Sequence, residues 1–203
     1  GHLHAGAAAV RVPVSAHFEG VFAVDPEGVG ANVARAATTG IAGLSIEDST
    51  GDADAPLFDL DLAVERVRAA RRAIDASGTG IVLTARTEGF LWGRTDIGEA
   101  TDRLRAFSEA GADCLYAPGI RSAEKITAVV EAVAPKPVNL LIYGPFATVA
   151  EAEALGVRRI SVGGALAKAA WGGFIAAAQE IAEAGTFTAL EGQPDVGALL
   201  GPR

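Results

Sequence analysis

Strand and helix signals alternate along this chain from one end to the other, and that pattern admits few folds. Residues 12–16 read as a strand, and Asp25-Pro26 opens a helix, because proline suits a first helical turn. Asn32 to Thr38 continue that helix and Gly40 closes it. Further strands fall at 43–47, 81–86, 113–117, 137–142 and 159–162. Between them lie helical patterns at about 60–76, from Ile97 to a stop at Gly111, around 126–133, and at 148–155, where Thr148 suits an N-cap. A last, alanine-rich helix spans about 166–184 with Trp171, Phe174, Ile175, Ala178 and Ile181. Six strands separated by helices require crossover connections, which make the sheet parallel and the crossovers right-handed. No linker, low-complexity tract or charge block interrupts 1–203, which reads as one domain.

Six strands suit an open doubly wound sheet outright, or a (β/α)₈ barrel, which takes about 250 residues, with two units absent. The chain has 203 residues, begins at Gly1 without methionine, and opens on what looks like the tail of a helix. If it is a barrel, it is N-terminally incomplete at about six of eight units, which agrees with the abrupt start. Such a chain in isolation is expected to aggregate, because an unclosed barrel presents two unpaired edges.

Two of the strands end in charge instead of closing into the core. Gly43-Leu44-Ser45-Ile46 runs into Glu47-Asp48, and Ile81-Val82-Leu83-Thr84-Ala85 runs into Arg86-Thr87-Glu88. An unpaired charge at a buried strand end costs several kcal/mol unless something binds it. In parallel α/β folds the C-terminal strand edge is also where ligands sit. His17, Glu19, Glu47, Asp48, Arg86, Glu88 and Asn139 would share that rim. Clustered carboxylates suit Mg²⁺, a hard cation that keeps several waters. A facing guanidinium would grip the far end of an anionic substrate. Together they would stabilise an enolate or carboxylate as charge develops.

Plainer readings stand beside this one. Glu47 and Arg86 also read as an ion pair between adjacent strand ends, Asp48 and Asp52 as solvated loop carboxylates, and His17 as a hydrogen-bonded structural histidine. Cys114, the single cysteine, sits in an apolar strand and reads as core; it excludes an internal disulfide framework. Gly163-Gly164 opens the last helix and could cradle phosphate, although close helix packing explains the pair equally well. His2 and His4 carry no signal. The arginines at 66, 68 and 72 fall largely away from the face made by Leu60, Val64, Val67 and Ile74. A net charge of −8 opposes nucleic-acid binding, which needs a basic face. No apolar run approaches the roughly 20 residues of a membrane span, and no signal-peptide pattern opens the chain. The cytoplasm is the expected location.

The segments Gly43 to Gly51, Leu83 to Phe90 with Gly93-Arg94, Ala110 to Gly119, Pro137-Val138-Asn139 and Arg158 to Gly163 occur in an order that resembles the isocitrate lyase/phosphoenolpyruvate mutase superfamily. The resemblance runs from about Val12 to Gly185. It implies a (β/α)₈ barrel whose last helix swaps onto a neighbouring subunit in a homodimer or homotetramer. It implies an Mg²⁺-dependent enzyme that makes or breaks C–C or P–C bonds of a small anionic 2-oxo or hydroxy carboxylic acid through an enolate-like state. By the same resemblance, Glu47 belongs to the metal site through water and acts in catalysis. Glu19 and His17 occupy the other metal positions, Arg86 binds substrate and supports catalysis, and Asn139 and Ser15 face the substrate. The loop after Glu47 would be a gate that excludes water.

Departures from that pattern shape the expectation. Relatives carry a metal-binding acid where His17 stands, and imidazole is the poorer partner for Mg²⁺. Their Gly-rich turn becomes Gly20-Val21-Phe22-Ala23. The lysine- and cysteine-bearing motif of true isocitrate lyases is absent, which opposes isocitrate cleavage. A mutase-like or carboxylic-acid lyase is the leading expectation. The alternatives are a catalytically silent oligomeric or ligand-binding relative and a phosphate-binding barrel enzyme using Gly163-Gly164.

Overall fold

The computed structural model describes residues 1–200. Its elements are α1 (His2–Ala9), β1 (Ser15–Ala16), α2 (Pro26–Ala37), β2 (Gly43–Glu47), α3 (Leu60–Ser77), β3 (Val82–Arg86), α4 (Ile97–Glu109), β4 (Cys114–Tyr116), α5 (Ala123–Val133), β5 (Val138–Leu141), α6 (Val149–Ala154), β6 (Arg159–Ser161), α7 (Ala165–Ala184) and α8 (Val196–Leu200). The chain divides into a first unit, Gly1–Ser161, and a second that begins at Val162.

In the first unit six parallel strands pair in chain order and curl into a half-barrel, the incomplete (β/α)₈ arrangement that the family resemblance implied. The first strand is shorter than the 12–16 predicted. Pro13 has no N–H to give a ladder, so the pairing begins where the Val14 carbonyl accepts from Ala42.

Alternation along the strands separates two chemistries. Leu44, Ile46, Leu83, Ala85, Leu115, Val138 and Leu140 are buried in the apolar core. The alternate positions of these strands carry Ser45, Glu47, Thr84, Arg86, Tyr116 and Asn139. Burying one Leu or Ile side chain is worth about 1.5–3 kcal/mol, so a one-residue slip, which exchanges the two faces, is strongly disfavoured. Register then sets the site. Glu47 pairs with Arg86, Arg86 with Tyr116, and Tyr116 with Asn139, a row across four neighbouring strands.

Helices α2 and α3 pack against each other, as do α4 and α5. Their starts are well defined. The Asp25 carboxylate accepts from the Gly28 N–H with Pro26 in the first turn, Asp96 and Ser122 cap α4 and α5, and Thr148 with Glu151 forms a reciprocal capping box. Cys114 is buried, as its apolar strand implied.

The arginines of α3 do not all leave the apolar face. Arg66 is 1% exposed, because it lies one turn from Ala63 and Ala70 and beside Val67 on the buried stripe. In the second unit, α7 buries none of its side chains; Trp171, Phe174 and Ile175 are exposed. No helix of the described residues is long and apolar enough to cross a membrane.

Candidate active site

Glu47 and Arg86 are the last residues of adjacent strands and register partners, so both side chains emerge at the same mouth. Arg86 Nη1 lies 3.0 Å from Glu47 Oε1, the ion pair that the residues alone left open. The same Nη1 lies 2.9 Å from His17 Nδ1, and Nε lies 2.8 Å from Glu88 Oε1. The guanidinium also stacks 4.8 Å from the Tyr116 ring centroid, a cation–π contact. One cation therefore gathers side chains from the β1 end, β2, β3 and β4.

Guanidinium can only donate, so the nitrogen facing it on His17 must accept. His17 is then neutral, with its remaining N–H on Nε2. Its pKa is lowered first by burial and then by the Arg86 charge, with Glu19 and Glu88 opposing. The 3.4 Å approach of His17 Nδ1 to Glu47 Oε1 is in that state a contact between two acceptors bridged by Arg86. Glu47 Oε1 is shut from solvent and has no aligned hydrogen bond despite its short ion-pair distance. Burial raises the Glu47 pKa, Arg86 opposes, and the Glu19 and Asp48 charges add to the rise. Glu88, two residues beyond the strand, is pushed up to about 7 by burial, with Arg86 pulling the other way.

Asp48 is not the solvated loop carboxylate expected from its polar neighbours. It is 2% exposed. One oxygen accepts from the Glu88 N–H at 2.8 Å, and the other faces Arg103 Nη1 at 3.2 Å. Arg103 also donates to the Phe58 carbonyl, whose own N–H returns to the Asp48 carbonyl at 2.8 Å. This knot ties both ends of the 48–58 loop to α4. Asp52 is exposed, as read.

On the wall formed by β4 to β6, Asn139 is 1% exposed and donates to Ser161 Oγ at 2.9 Å, while its Oδ1 is buried without a partner. Tyr116 OH shares Ser161 Oγ at 3.3 Å. Ser15, exposed at the start of β1, is the register partner of Gly43, four residues before the end of β2, and so lies below the rim that holds Arg86. Gly163 has φ 52°, a left-handed backbone that by itself accounts for one glycine of the pair.

The altered turn after β1 is strained. Glu19, Val21 and Phe22 have φ of 49°, 62° and 55°, and left-handed backbone costs an L-residue about 1–2 kcal/mol. The turn is anchored to the site, because the Glu47 N–H donates to the Glu19 carbonyl at 3.1 Å. Glu19 itself is exposed, and its charge is felt by both His17 and Glu47.

Among the described residues, no three His, Cys, Asp or Glu side chains are grouped to ligate a cation directly. The donor chemistry nonetheless fits a hard divalent ion held through water. Glu47 has a buried oxygen without a hydrogen bond, Glu19 offers a second, exposed carboxylate, and the mouth is open on the His17 side, where that side chain is 59% exposed. The sequence places His17, Glu19, Glu47, Asp48, Arg86, Glu88 and Asn139 at one rim. It does not single out Arg103 or Tyr116, nor show that Asp48 is held by Arg103 and Glu88 by Arg86. A charge set inside an apolar stripe was the available signal for Arg103, which lies beside Leu104 and one turn from Ala100 and Phe107.

The family model described as phosphoenolpyruvate phosphomutase matches residues 1–182. No curated protein sequence matches the chain. A structure from Burkholderia cenocepacia J2315, provisionally named a lyase/mutase, is 45% identical with a TM-score of 0.91, and the match covers 97% of this chain and 71% of that one. A 2,3-dimethylmalate lyase of the PEP mutase/isocitrate lyase superfamily is 28% identical with a TM-score of 0.80, covering 93% and 68%. An oxaloacetate acetylhydrolase solved with its product oxalate is 26% identical with a TM-score of 0.82, covering 98% and 69%.

Proposed function

This chain belongs to the phosphoenolpyruvate phosphomutase family, whose members are lyases and mutases of C–C and P–C bonds, and on that footing we propose that it serves an Mg²⁺-dependent lyase or mutase. The substrate is a small 2-oxo or hydroxy carboxylic acid. The observation that carries the reading is the convergence of Glu47 and Arg86 at one mouth, 3.0 Å apart, with Asn139 on the adjoining wall.

Arg86 binds the substrate carboxylate, already aimed by Glu88 and stacked on Tyr116. An incoming carboxylate competes for the Nη1 donor now facing His17 and Glu47, and charge-assisted bonds favour the stronger anion. Asn139 has an amide held by Ser161 and a free buried oxygen, which orients a hydroxyl or hydrated group. Glu47 and Glu19 would hold the cation through water. When bound, that ion supplies positive charge opposite a developing enolate. His17 contributes a neutral imidazole with an outward N–H donor. The protein acts in the cytoplasm as a homodimer or homotetramer, its α7 aromatic face covered by a neighbouring copy.

Calorimetry on the complete protein tests this. Oxalate or pyruvate should bind only with Mg²⁺ present, and Arg86→Gln should weaken binding roughly ten- to hundredfold, the worth of a lost charge-assisted bond. Metal-independent binding, or none, rejects the proposal.

A second reading, a catalytically silent ligand-binding relative, is favoured by one observation: the Arg86 guanidinium is engaged by His17, Glu47 and Glu88 of the chain itself. His17→Asp separates the two. A gain of Mg²⁺ binding supports a decayed enzyme, whereas strong binding already present in the parent and unchanged in the variant supports an active one.

A further inference from the structure

Arg66 is a buried cation whose partners are carbonyls. From α3 its Nη1 donates to the carbonyls of Ala23 and Val24, the latter at 2.7 Å, and Nη2 donates to Gly20 O at 2.9 Å. Those three carbonyls belong to the turn in which Glu19, Val21 and Phe22 are left-handed. Non-glycine residues do not choose that conformation for themselves; it persists only where the surroundings over-determine it. A planar guanidinium with several donors can converge on carbonyls from three residues at once, which an ammonium on a flexible stem does less well. The Arg66 guanidinium carbon also lies over the Phe58 ring, 4.3 Å from its centroid, and Phe58 closes the loop that begins at Asp48. One side chain thus touches both loops flanking the candidate site. The turn also delivers the Glu19 carbonyl that receives the Glu47 N–H.

We propose that Arg66 is a positioning residue for this site: it clamps the strained Glu19–Val24 turn and the Phe58 end of the neighbouring loop, and so sets where the Glu19 and Glu47 carboxylates stand. The inference rests on the metal-and-anion reading for its functional readout but not for its conformational one.

Two measurements on the complete protein test it with Arg66→Lys, below the melting transition of parent and variant. Amide hydrogen exchange at Val21 and Glu47, whose N–H groups are held by Phe18 and Glu19 carbonyls, should accelerate at least about tenfold more than at Leu83 and Leu115 in the same sheet. Mg²⁺-dependent oxalate affinity should fall about tenfold, and adding Phe22→Gly, which removes the Cβ penalty from an exposed position, should recover part of that loss. Equal acceleration at all four amides overturns the proposal, as does affinity within twofold of the parent. If the parent itself binds no oxalate, the functional reading fails and the exchange result alone decides Arg66. If Arg66→Lys does not fold, Phe58→Leu replaces it. Selective acceleration at Val21 and Glu47 then supports the clamp, and parental exchange there overturns it.

Discussion

At the end of β2 one peptide bond separates two environments. Asp48 has both carboxylate oxygens engaged, by the Glu88 N–H and by Arg103, and water is excluded. Glu47 shares a single cation with His17 and Glu88, keeps an oxygen without an aligned hydrogen bond, and borders an open mouth. The two acids have the same charge and almost the same position. What differs is how completely each is satisfied. A satisfied buried acid holds a fold together, while an acid left partly unsatisfied has capacity for a ligand.

The contrast is broken most directly at Asp48. Asp48→Ala leaves Arg103 without its carboxylate and the Glu88 N–H without an acceptor, and removing one partner of a buried pair costs about 3–5 kcal/mol. Urea unfolding should show that loss; a change under about 1 kcal/mol would mean that the knot is not structural.

Glu88 gives an effect of intermediate size that depends on pH. Its folded pKa, about 7, lies above the ordinary 4.5 because of burial. Between those values the folded chain binds more protons than the unfolded one, so stability falls as pH rises through that window, by something on the order of 1–3 kcal/mol. Melting temperatures from pH 4.5 to 7.5 should decline more steeply for the parent than for Glu88→Gln. Parallel profiles would exclude a raised Glu88 pKa.

The smallest change in stability belongs to Glu47→Gln, within about 1 kcal/mol, because the isosteric amide keeps an oxygen toward Arg86 and burial already disfavours the charged form of the acid. The same variant should lose most Mg²⁺-dependent oxalate binding in calorimetry. A large stability loss with binding retained would reverse the assignment of the two neighbours.

Much of this arrangement is legible in one dimension, and the misses share a cause. Strand ends at Glu47 and Arg86 stand out because charge terminates an apolar run, a local pattern. Parallel pairing in register then carries them to one rim without further information. Asp48 resembled a loop residue because Ser49, Thr50, Gly51 and Asp52 follow it, whereas its partner Arg103 lies 55 residues away on α4. Arg66 resembled one more surface arginine of α3, yet its carbonyl acceptors sit 42 to 46 residues earlier in the chain. The left-handed Val21 could not be anticipated either, since a β-branched residue there is a local misfit that only distant contacts maintain.

The amino-acid order determined the alternation of elements, the parallel sheet, the apolar faces and the level at which charged side chains leave the strands, because periodicity and register are properties of neighbouring residues. Which of those charges became a knot and which a mouth was decided by packing. That outcome depends on whether a helix or loop from a remote part of the chain brings a donor within hydrogen-bonding distance, and no local rule contains that distance.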